Sequence, residues 1–274
     1  MDNIRKYLDW NDAYFKIDRE ERNIAAILYH ILLSKWPDNL NKFLQLIPGM
    51  SSIAMNDRGV GIYFEYSYLR DLWAQIDGAD ANGKKRELIY RCLKPENMVE
   101  MEGMSTLEFN TFFGAVPKAS RKFIQSPGNW CIGRFKDNYK NSDNEQFLKV
   151  CMFKWSFNAK PDIVIHTSYD TAVCIEAKYV SGEGHYPTMP SEKREFKTRG
   201  IPFVRQTRLQ KFMMRELLGI NTQFVYLVNK LQSKPEGHIV LFWKDVFASL
   251  DTCSCPTFIQ EWICGFDDSS HSYL

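Results

Sequence analysis

Two short apolar segments with a turn between them place the strongest constraint on how this chain can fold. Residues 161–166 and 172–177 are both rich in β-branched side chains, and residues 167–171 between them have the composition of a turn. Runs of this length predict β-strands, and the short gap predicts that they pair as an antiparallel hairpin. A charged residue at the end of such an apolar run is expected to be partly buried.

Charged residues occupy both strands at one end of this predicted hairpin. Asp162 begins the first strand directly after a proline, and Glu176 and Lys178 end the second strand. Residues two apart in a strand project from the same face, so Glu176 and Lys178 project together. Antiparallel pairing can bring Asp162 opposite this end of the second strand. The sequence therefore predicts that two carboxylates and one ammonium group converge at one point.

Two carboxylates that meet in a partly buried place repel each other and require a cation. Oxygen ligands suit Mg²⁺ or Mn²⁺, which keep several waters and bind through one or two carboxylates plus a substrate phosphate. Such an ion lowers the pKa of a bound water and offsets charge that builds up on a phosphate. Lys178 is expected to orient or help deprotonate that water, or to stabilise the pentacovalent phosphorus.

The motif Pro161-Asp162 followed by Glu176-Ala177-Lys178, with each half in an apolar strand, resembles the PD-(D/E)XK phosphodiesterase superfamily. That superfamily includes restriction enzymes, repair nucleases and phage exonucleases. The resemblance covers roughly residues 143–243, and the Tyr179–Gly182 segment is similar to defence-associated members. It implies that Asp162, Glu176 and the carbonyl group of Ala177 hold the metal, and that Lys178 is catalytic.

The resemblance also implies roles for residues on the two neighbouring helices. Glu145, on the preceding helix, is expected to be a further metal ligand, and Gln206, on the following helix, is expected to face the site as a catalytic residue. Alternatively, Glu145 is an exposed charge that the helix dipole stabilises, and Gln210 takes the place of Gln206. His166 is expected to be structural or solvated.

Chance matches provide a comparison for the motif. The chain has a second acid-x-Lys triplet, Glu195-Phe196-Lys197, and a second Pro-Asp pair, Pro37-Asp38, but neither is flanked by a β-type run. The plain alternative is that Asp162 closes a turn and that Glu176 and Lys178 form a cross-strand or surface pair worth only ~0.2–1 kcal/mol. That alternative leaves the expected burial of Glu176 unexplained.

The densest basic stretch of the chain runs from residue 193 to residue 215 and follows the predicted hairpin. A DNA or RNA backbone that reaches the metal would meet this stretch. The alternative is a solvated helix face with a flexible loop. The residues predicted to contact nucleic acid are Arg199, Arg205, Arg208 and Lys211.

Helical and strand patterns alternate outside the hairpin. Helices are predicted around Ile24–Leu32 with Asp18 as N-cap, around Leu69–Ile76, after the capping-box pair Ser105 and Glu108, after Asp143, and over Val204–Leu218 with Gly219 at its end. Strands are predicted at residues 153–157, 224–228 and 239–242. This order predicts an α/β (mixed α+β) fold with a restriction-endonuclease-like core, in which helices flank a central mixed sheet.

Length and composition fit three regions. The chain has 274 residues, of which 45% are hydrophobic and 25% charged, as in ordinary globular proteins. Residues 1–115 are predicted to be mostly helical and to serve recognition, a partner or dimerisation. Residues 116–142 are predicted to connect them to residues 143–274, the nuclease core with a C-terminal helical extension.

No apolar run approaches the ~20 residues that span a bilayer, and no secretory signal opens the sequence, so a cytoplasmic protein without a membrane segment is expected. The formal net charge of +2 neither supports nor excludes nucleic-acid binding. Seven scattered cysteines indicate a reduced protein. A zinc site is the alternative, but its spacing is wrong for known zinc ribbons; its ligands would be Cys253, Cys255, Cys264 and His271.

The expected function is that of a Mg²⁺- or Mn²⁺-dependent endonuclease that hydrolyses DNA, of restriction or defence type, acting as a homodimer. One alternative is a retired nuclease core that binds nucleic acid or acts as an interaction protein. Another keeps the fold and changes the substrate to RNA.

Overall fold

The computed structural model describes residues 20–54, 57–95, 98–115, 121–135, 138, 143–230 and 234–265. Within these residues the chain is a mixed α/β protein in which helices flank a five-stranded sheet. It forms two compact units that are interleaved along the sequence. The first unit contains the described residues up to Glu65, Asp162–Gly182, and those from Gln223 onwards, and the second contains Tyr66–Pro161 and Glu183–Thr222. The units therefore divide the chain differently from the three linear regions expected from the sequence.

The strands form one large sheet and one small pair. They are β1 (Gly61–Phe64), β2 (Ile163–His166), β3 (Thr171–Lys178), β4 (His185–Tyr186), β5 (Val204–Arg205), β6 (Asn221–Val228) and β7 (Ile239–Phe242). The order in the large sheet is β1-β2-β3-β6-β7, and β4 pairs with β5. Strands β1, β2 and β3 are antiparallel neighbours, whereas β6 and β7 are parallel, so the sheet is mixed as predicted.

The helices of the first unit are α1 (Glu21–Leu33), α2 (Asp38–Gln45), α11 (Trp243–Ser249) and α12 (Thr257–Cys264). Those of the second unit are α3 (Tyr68–Gln75), α4 (Ala81–Leu93), α5 (Met98–Glu102), α6 (Thr106–Phe112), α7 (Ile132–Phe135), α8 (Asn144–Ser156), α9 (Pro190–Arg199) and α10 (Gln206–Lys211), with a 3-10 turn at Pro127–Asn129 and a π-helical turn at Phe212–Leu217. None of the helices in the described ranges is long and apolar enough to cross a membrane.

The core of the first unit fixes where the hairpin ends lie. On α1, the buried residues Ile24, Leu28 and Leu32 recur every four positions and so form one apolar face. This face belongs to the same buried cluster as Ile163 of β2 and Ile175 of β3, which are register partners. Because α1 packs on the sheet in this way, its first turn comes to the end of β3, where the backbone N–H of Tyr179 donates to Glu21.

Several element predictions are confirmed. The hairpin forms as predicted, with strands at Ile163–His166 and Thr171–Lys178, and the strands at 224–228 and 239–242 are present. Ser105 and Glu108 form the predicted capping box. The side chain of Asp143 caps α8 by accepting from the N–H of Gln146 at 2.7 Å. The predicted Asp18 cap lies outside the described residues.

Other element predictions are wrong. Residues 153–156 of the expected strand at 153–157 belong to the last turn of α8, and Phe157 is its C-cap. Residues 150–156 are all buried, so the alternation of buried and exposed positions that separates helix from strand is missing. The helix expected from Val204 begins at Gln206, since the two residues before it pair with β4. Strand β1, at the edge of the sheet, was not predicted, although most elements of the first region are helices, as expected.

Gly219 ends the helical segment as predicted, with a φ of +67°. An alanine at this position should destabilise the protein, because an L-residue in the left-handed region costs roughly 1–2 kcal/mol. No heavy atom lies within 4 Å of the added Cβ, so the loss reports the backbone alone. Urea unfolding of Gly219→Ala measures it.

Gly182→Ala is the matched control. Gly182 also has nothing within 4 Å of an added Cβ, but its φ is outside the left-handed region. We expect its free energy of unfolding to stay the same or to rise slightly. Equal losses in the two variants would contradict the assignment of the penalty to φ at Gly219.

Candidate active site

The hairpin brings Asp162 next to the end of β3. The last paired residues at this end of the hairpin are Ile163 and Ile175, so one step further along Asp162 stands opposite Glu176. Residues directly opposite in an antiparallel pair project from the same face. The Oδ2 atom of Asp162 accepts a hydrogen bond from the backbone N–H of Ala177 at 2.8 Å. The first carboxylate is therefore fixed against the backbone that carries the second.

Glu176 and Lys178 form a buried ion pair. The Nζ atom of Lys178 lies 2.6 Å from Oε1 of Glu176. Glu176 is 1% exposed and Lys178 is 8% exposed, so both charges are withdrawn from water. Burying ions is unfavourable unless each meets a partner. The surface-pair alternative is therefore wrong for these two residues.

Glu21 completes the environment of Lys178, and the sequence reasoning missed it. Its Oε1 atom accepts from Nζ of Lys178 at 2.8 Å, and its Oε2 atom accepts from the N–H of Tyr179 at 3.1 Å and from the hydroxyl of Ser181. Glu21 stands in the first turn of α1, 157 residues from Lys178. No local pattern connects residues so far apart, although the apolar face of α1 predicted that this helix packs on the core.

A surface depression opens beside these groups. Its lining consists of Glu20, Glu21, Arg22, Asp162, Val180 and Ser181. Arg22 is held at its edge by Glu65, with 2.8 Å between Nε and Oε1. Carboxylates therefore outnumber cations around the hairpin end, and the depression is a place where a cation would be attracted.

Burial raises the pKa of Asp162 to about 6, from an ordinary value of 3.8. The backbone N–H of Ala177 and the ammonium of Lys178 lower this pKa, while the negative charges of Glu21 and Glu65 raise it. Close to neutral pH the carboxylate is therefore ionised at an energetic cost. A bound cation would relieve this cost by favouring the charged form.

Lys178 is held in its charged form. Burial lowers the pKa of its ammonium group, but the carboxylates of Glu176 and Glu21 outweigh burial, and the net pKa is raised above the ordinary value of 10.5. A lysine that keeps its proton cannot deprotonate water. Of the roles expected from the sequence, orienting the water or stabilising charge on phosphorus fits this environment.

Trp243 fixes the backbone at the end of β3. The indole Nε1–H donates to the carbonyl oxygen of Lys178 at 2.9 Å, and the ring is fully buried. Trp243 begins α11 directly after β7. The sequence reasoning also missed this residue, because a buried tryptophan usually indicates no more than core packing.

The donors at the hairpin end are all oxygen atoms. The carboxylates of Asp162 and Glu176 and the carbonyl of Ala177 suit a hard cation such as Mg²⁺ or Mn²⁺, with water and phosphate completing the coordination shell. Among the described residues, no group of three or more His, Cys, Asp or Glu side chains is arranged as a metal site.

Glu145 and Gln206 belong to the second unit, whereas Asp162, Glu176 and Lys178 belong to the first. Glu145 is exposed in the first turn of α8. Gln206 begins α10, and its backbone N–H donates to the carbonyl of Gly184 at 2.8 Å. Gln210, the alternative to Gln206, is buried on the same helix. The roles of Glu145 and Gln206 toward a metal stay predictions.

The four arginines and lysines predicted to contact nucleic acid have different environments. Arg199 is engaged within the second unit, because its Nε lies 2.9 Å from Glu195 and its guanidinium stacks 3.9 Å above the ring of Phe147. This arrangement disfavours Arg199 as a phosphate contact. Exposed side chains on this segment include Arg205 and Arg208, while Lys211 is partly exposed.

The two chance motifs lie in helical context. The triplet Glu195-Phe196-Lys197 is part of α9, and Asp38 of the second Pro-Asp pair is the first residue of α2. In the Pro161–Lys178 segment, Asp162 directly precedes β2, and Glu176 and Lys178 end β3, the antiparallel partner of β2. The chain matches no protein-family model, and no curated protein or solved structure shows significant similarity to it.

Asp162→Asn should make the protein more stable at neutral pH. In the folded chain the raised pKa means that ionising Asp162 opposes folding, and this penalty grows as the pH rises from about 4 to about 6. The difference between about 6 and 3.8 corresponds to roughly 3 kcal/mol. Urea unfolding in EDTA should show a small gain at pH 4 and the full gain at pH 7.5.

Asp251→Asn provides a control of opposite sign. The Lys35 ammonium lowers the pKa of Asp251 to about 2, so its charge stabilises the folded protein at neutral pH. That variant should therefore lose stability at pH 7.5. A gain for Asp162→Asn that does not change with pH would show that the raised pKa of Asp162 is not its cause.

Trp243→Phe should destabilise the protein, because it leaves the buried carbonyl of Lys178 without its donor. A buried polar group that loses its partner costs roughly 1–3 kcal/mol. Trp155→Phe is the matched control, since Trp155 is equally buried but its Nε1–H has no hydrogen-bond partner. Both changes shrink the ring, but only Trp243→Phe breaks a hydrogen bond, so Trp243→Phe should lower the free energy of unfolding more than Trp155→Phe does. Equal losses would mean that this bond contributes nothing.

Proposed function

We propose that this chain is a Mg²⁺- or Mn²⁺-dependent phosphodiesterase of the restriction-endonuclease-like fold that hydrolyses DNA. The observation that carries the proposal is the convergence of Asp162, Glu176 and Lys178 at one end of a buried hairpin. A structural role alone does not account for two carboxylates at this place, one of which is ionised at a cost near neutral pH. Sites of this kind are typical of catalysis.

The proposed metal ligands are Asp162, Glu176 and the carbonyl of Ala177, while Glu145 remains a further candidate. When bound, the ion would supply an activated water and neutralise charge on the phosphate. The N–H of Ala177 already orients the carboxylate of Asp162, so this side chain would not need to move to bind the ion. The same hydrogen bond couples the position of Asp162 to the backbone of β3.

Lys178 is proposed to stabilise the negative charge that develops on the phosphate oxygens. Its ammonium group is fixed in place, because it forms ion pairs with two carboxylates, those of Glu176 and Glu21. Glu21 is proposed as a positioning residue that keeps Lys178 charged and oriented. Gln206 stays a proposed catalytic residue by resemblance alone.

The substrate is proposed to be DNA, with RNA as the alternative. The basic residues proposed to contact its backbone are Arg205, Arg208 and Lys211, and Arg199 is the weakest of the four candidates because Glu195 and Phe147 already engage it. Phosphate contacts of this kind would be independent of sequence and sensitive to salt. A homodimer would allow both strands of a duplex to be cut.

Lys178→Ala should abolish cleavage of DNA. The purified wild-type protein, given supercoiled plasmid and single-stranded circular DNA, should nick or cut only when Mg²⁺ or Mn²⁺ is present, and labelled RNA should be tested in parallel. Lys84→Ala is the matched control, because Lys84 is an exposed lysine on α4, outside the basic stretch. It should cleave like the wild type, and equal cleavage by Lys178→Ala would overturn the proposal.

Metal binding can be measured without any substrate. Mn²⁺ should raise the Tm of the wild type, because an ion that binds only the folded chain stabilises it by mass action. The double variant Asp162→Asn, Glu176→Gln should show no such rise. Tight nucleic-acid binding with neither cleavage nor a metal-dependent Tm would favour the retired-core alternative.

A further inference from the structure

Two exposed tyrosines lie along the edge of the sheet in the first unit. Tyr63 is on β1, the edge strand, and is 49% exposed. Tyr169 is in the turn between β2 and β3 and is 79% exposed. Large aromatic rings that stay this accessible on a rigid sheet present flat surfaces to solvent, and such surfaces are suited to stacking.

Each of these rings rests against a glycine. A Cβ added to Gly61 would come within 2.8 Å of Oη and 3.0 Å of Cε2 of Tyr63. A Cβ added to Gly59 would come within 2.7 Å of the backbone nitrogen and 3.0 Å of Cγ of Tyr169. His166 supports Tyr63 further by an edge-to-face contact, with 5.7 Å between the ring centroids. Gly61 and His166 thus pack against the ring of Tyr63, whereas Gly59 lies against the backbone and Cγ of Tyr169.

Tyr63 lies near the candidate active site, and Tyr169 lies at the opposite end of β2. Tyr63 is the register partner of Val164, which is two residues along β2 from Asp162. Tyr63 and Asp162 therefore share a face of the sheet as diagonal neighbours, which are about 7–8 Å apart. Gly61 is two residues before Tyr63 on β1, and the turn that precedes β1 contains Gly59 and the exposed Arg58.

We propose that this edge is a stacking surface for unpaired bases, so that the substrate of the site is single-stranded nucleic acid or an unpaired segment of a duplex. This inference rests on the proposed function, since it supplies the substrate class for the same site. Bases stack on aromatic side chains whatever their identity, and a nearby arginine contacts the backbone. Tyr63 receives the base next to the phosphodiester at Asp162, and Tyr169 receives a base further along the strand.

Tyr63→Ala tests the proposal in a binding assay that involves no cleavage. Fluorescence anisotropy in EDTA measures the Kd for labelled oligothymidylate, oligouridylate and a duplex of mixed sequence. The wild type should bind a single strand more tightly than the duplex. Tyr63→Ala should weaken single-strand binding by about 5-fold to about 100-fold, whereas Tyr63→Trp should retain it because the stacking face remains. Comparing the two single strands shows whether DNA or RNA is preferred.

Phe258→Ala is the matched control, because Phe258 is a similarly exposed aromatic residue on α12. It should leave the Kd unchanged, and thermal unfolding should show that each variant is folded. Equal weakening in Phe258→Ala and Tyr63→Ala, or a wild type that binds no single strand, would overturn the stacking proposal. Single-strand binding that depends on Tyr63 without metal-dependent cleavage would uphold the stacking surface and reject the proposed catalysis, so the two failures are distinguishable.

Discussion

The buried ammonium of Lys178 is the constraint on which the rest of the first unit depends. A lysine withdrawn from water needs carboxylate partners, and here Glu176 and Glu21 meet it at 2.6 and 2.8 Å. One partner comes from the same strand and the other from the first turn of α1, so the ion pairs join the helix to the sheet. Trp243 adds α11 to the same junction through the carbonyl of Lys178. Three elements from distant parts of the sequence are thus fixed at one point.

The charges at this junction are not balanced. Four carboxylates gather around two cations, and the groups are Glu21, Glu65, Asp162 and Glu176 with Arg22 and Lys178. Asp162 is the residue most affected. Burial, together with the negative charges of its neighbours, raises its pKa to about 6. An isolated structural ion pair would not need this excess of negative charge, but a site for a cation would. Strain of this kind is common where function and stability conflict.

Net charge gives little information about such a protein. The formal total of +2 conceals an acidic depression at the hairpin end and exposed basic side chains elsewhere. Local environment also separates residues of the same type. Arg199 and Arg208 are close in sequence, yet Arg199 is engaged by Glu195 and by Phe147 while Arg208 is exposed. Burial and neighbours, rather than composition, decide which charges can meet a ligand.

The sequence alone determined the hairpin and the three residues on it. Strand alternation is a local property with a period of two, so Asp162, Glu176 and Lys178 could be assigned to neighbouring strands without coordinates. Only the tertiary structure revealed Glu21 and Trp243, because their contacts with Lys178 depend on how α1 and α11 pack against the end of β3. The same reason explains the false strand at residues 153–157, where burial on all sides removed the periodic pattern. Periodicity depends only on residues that are close in sequence. Long-range contacts, and the pKa values that follow from them, exist only once the core has formed.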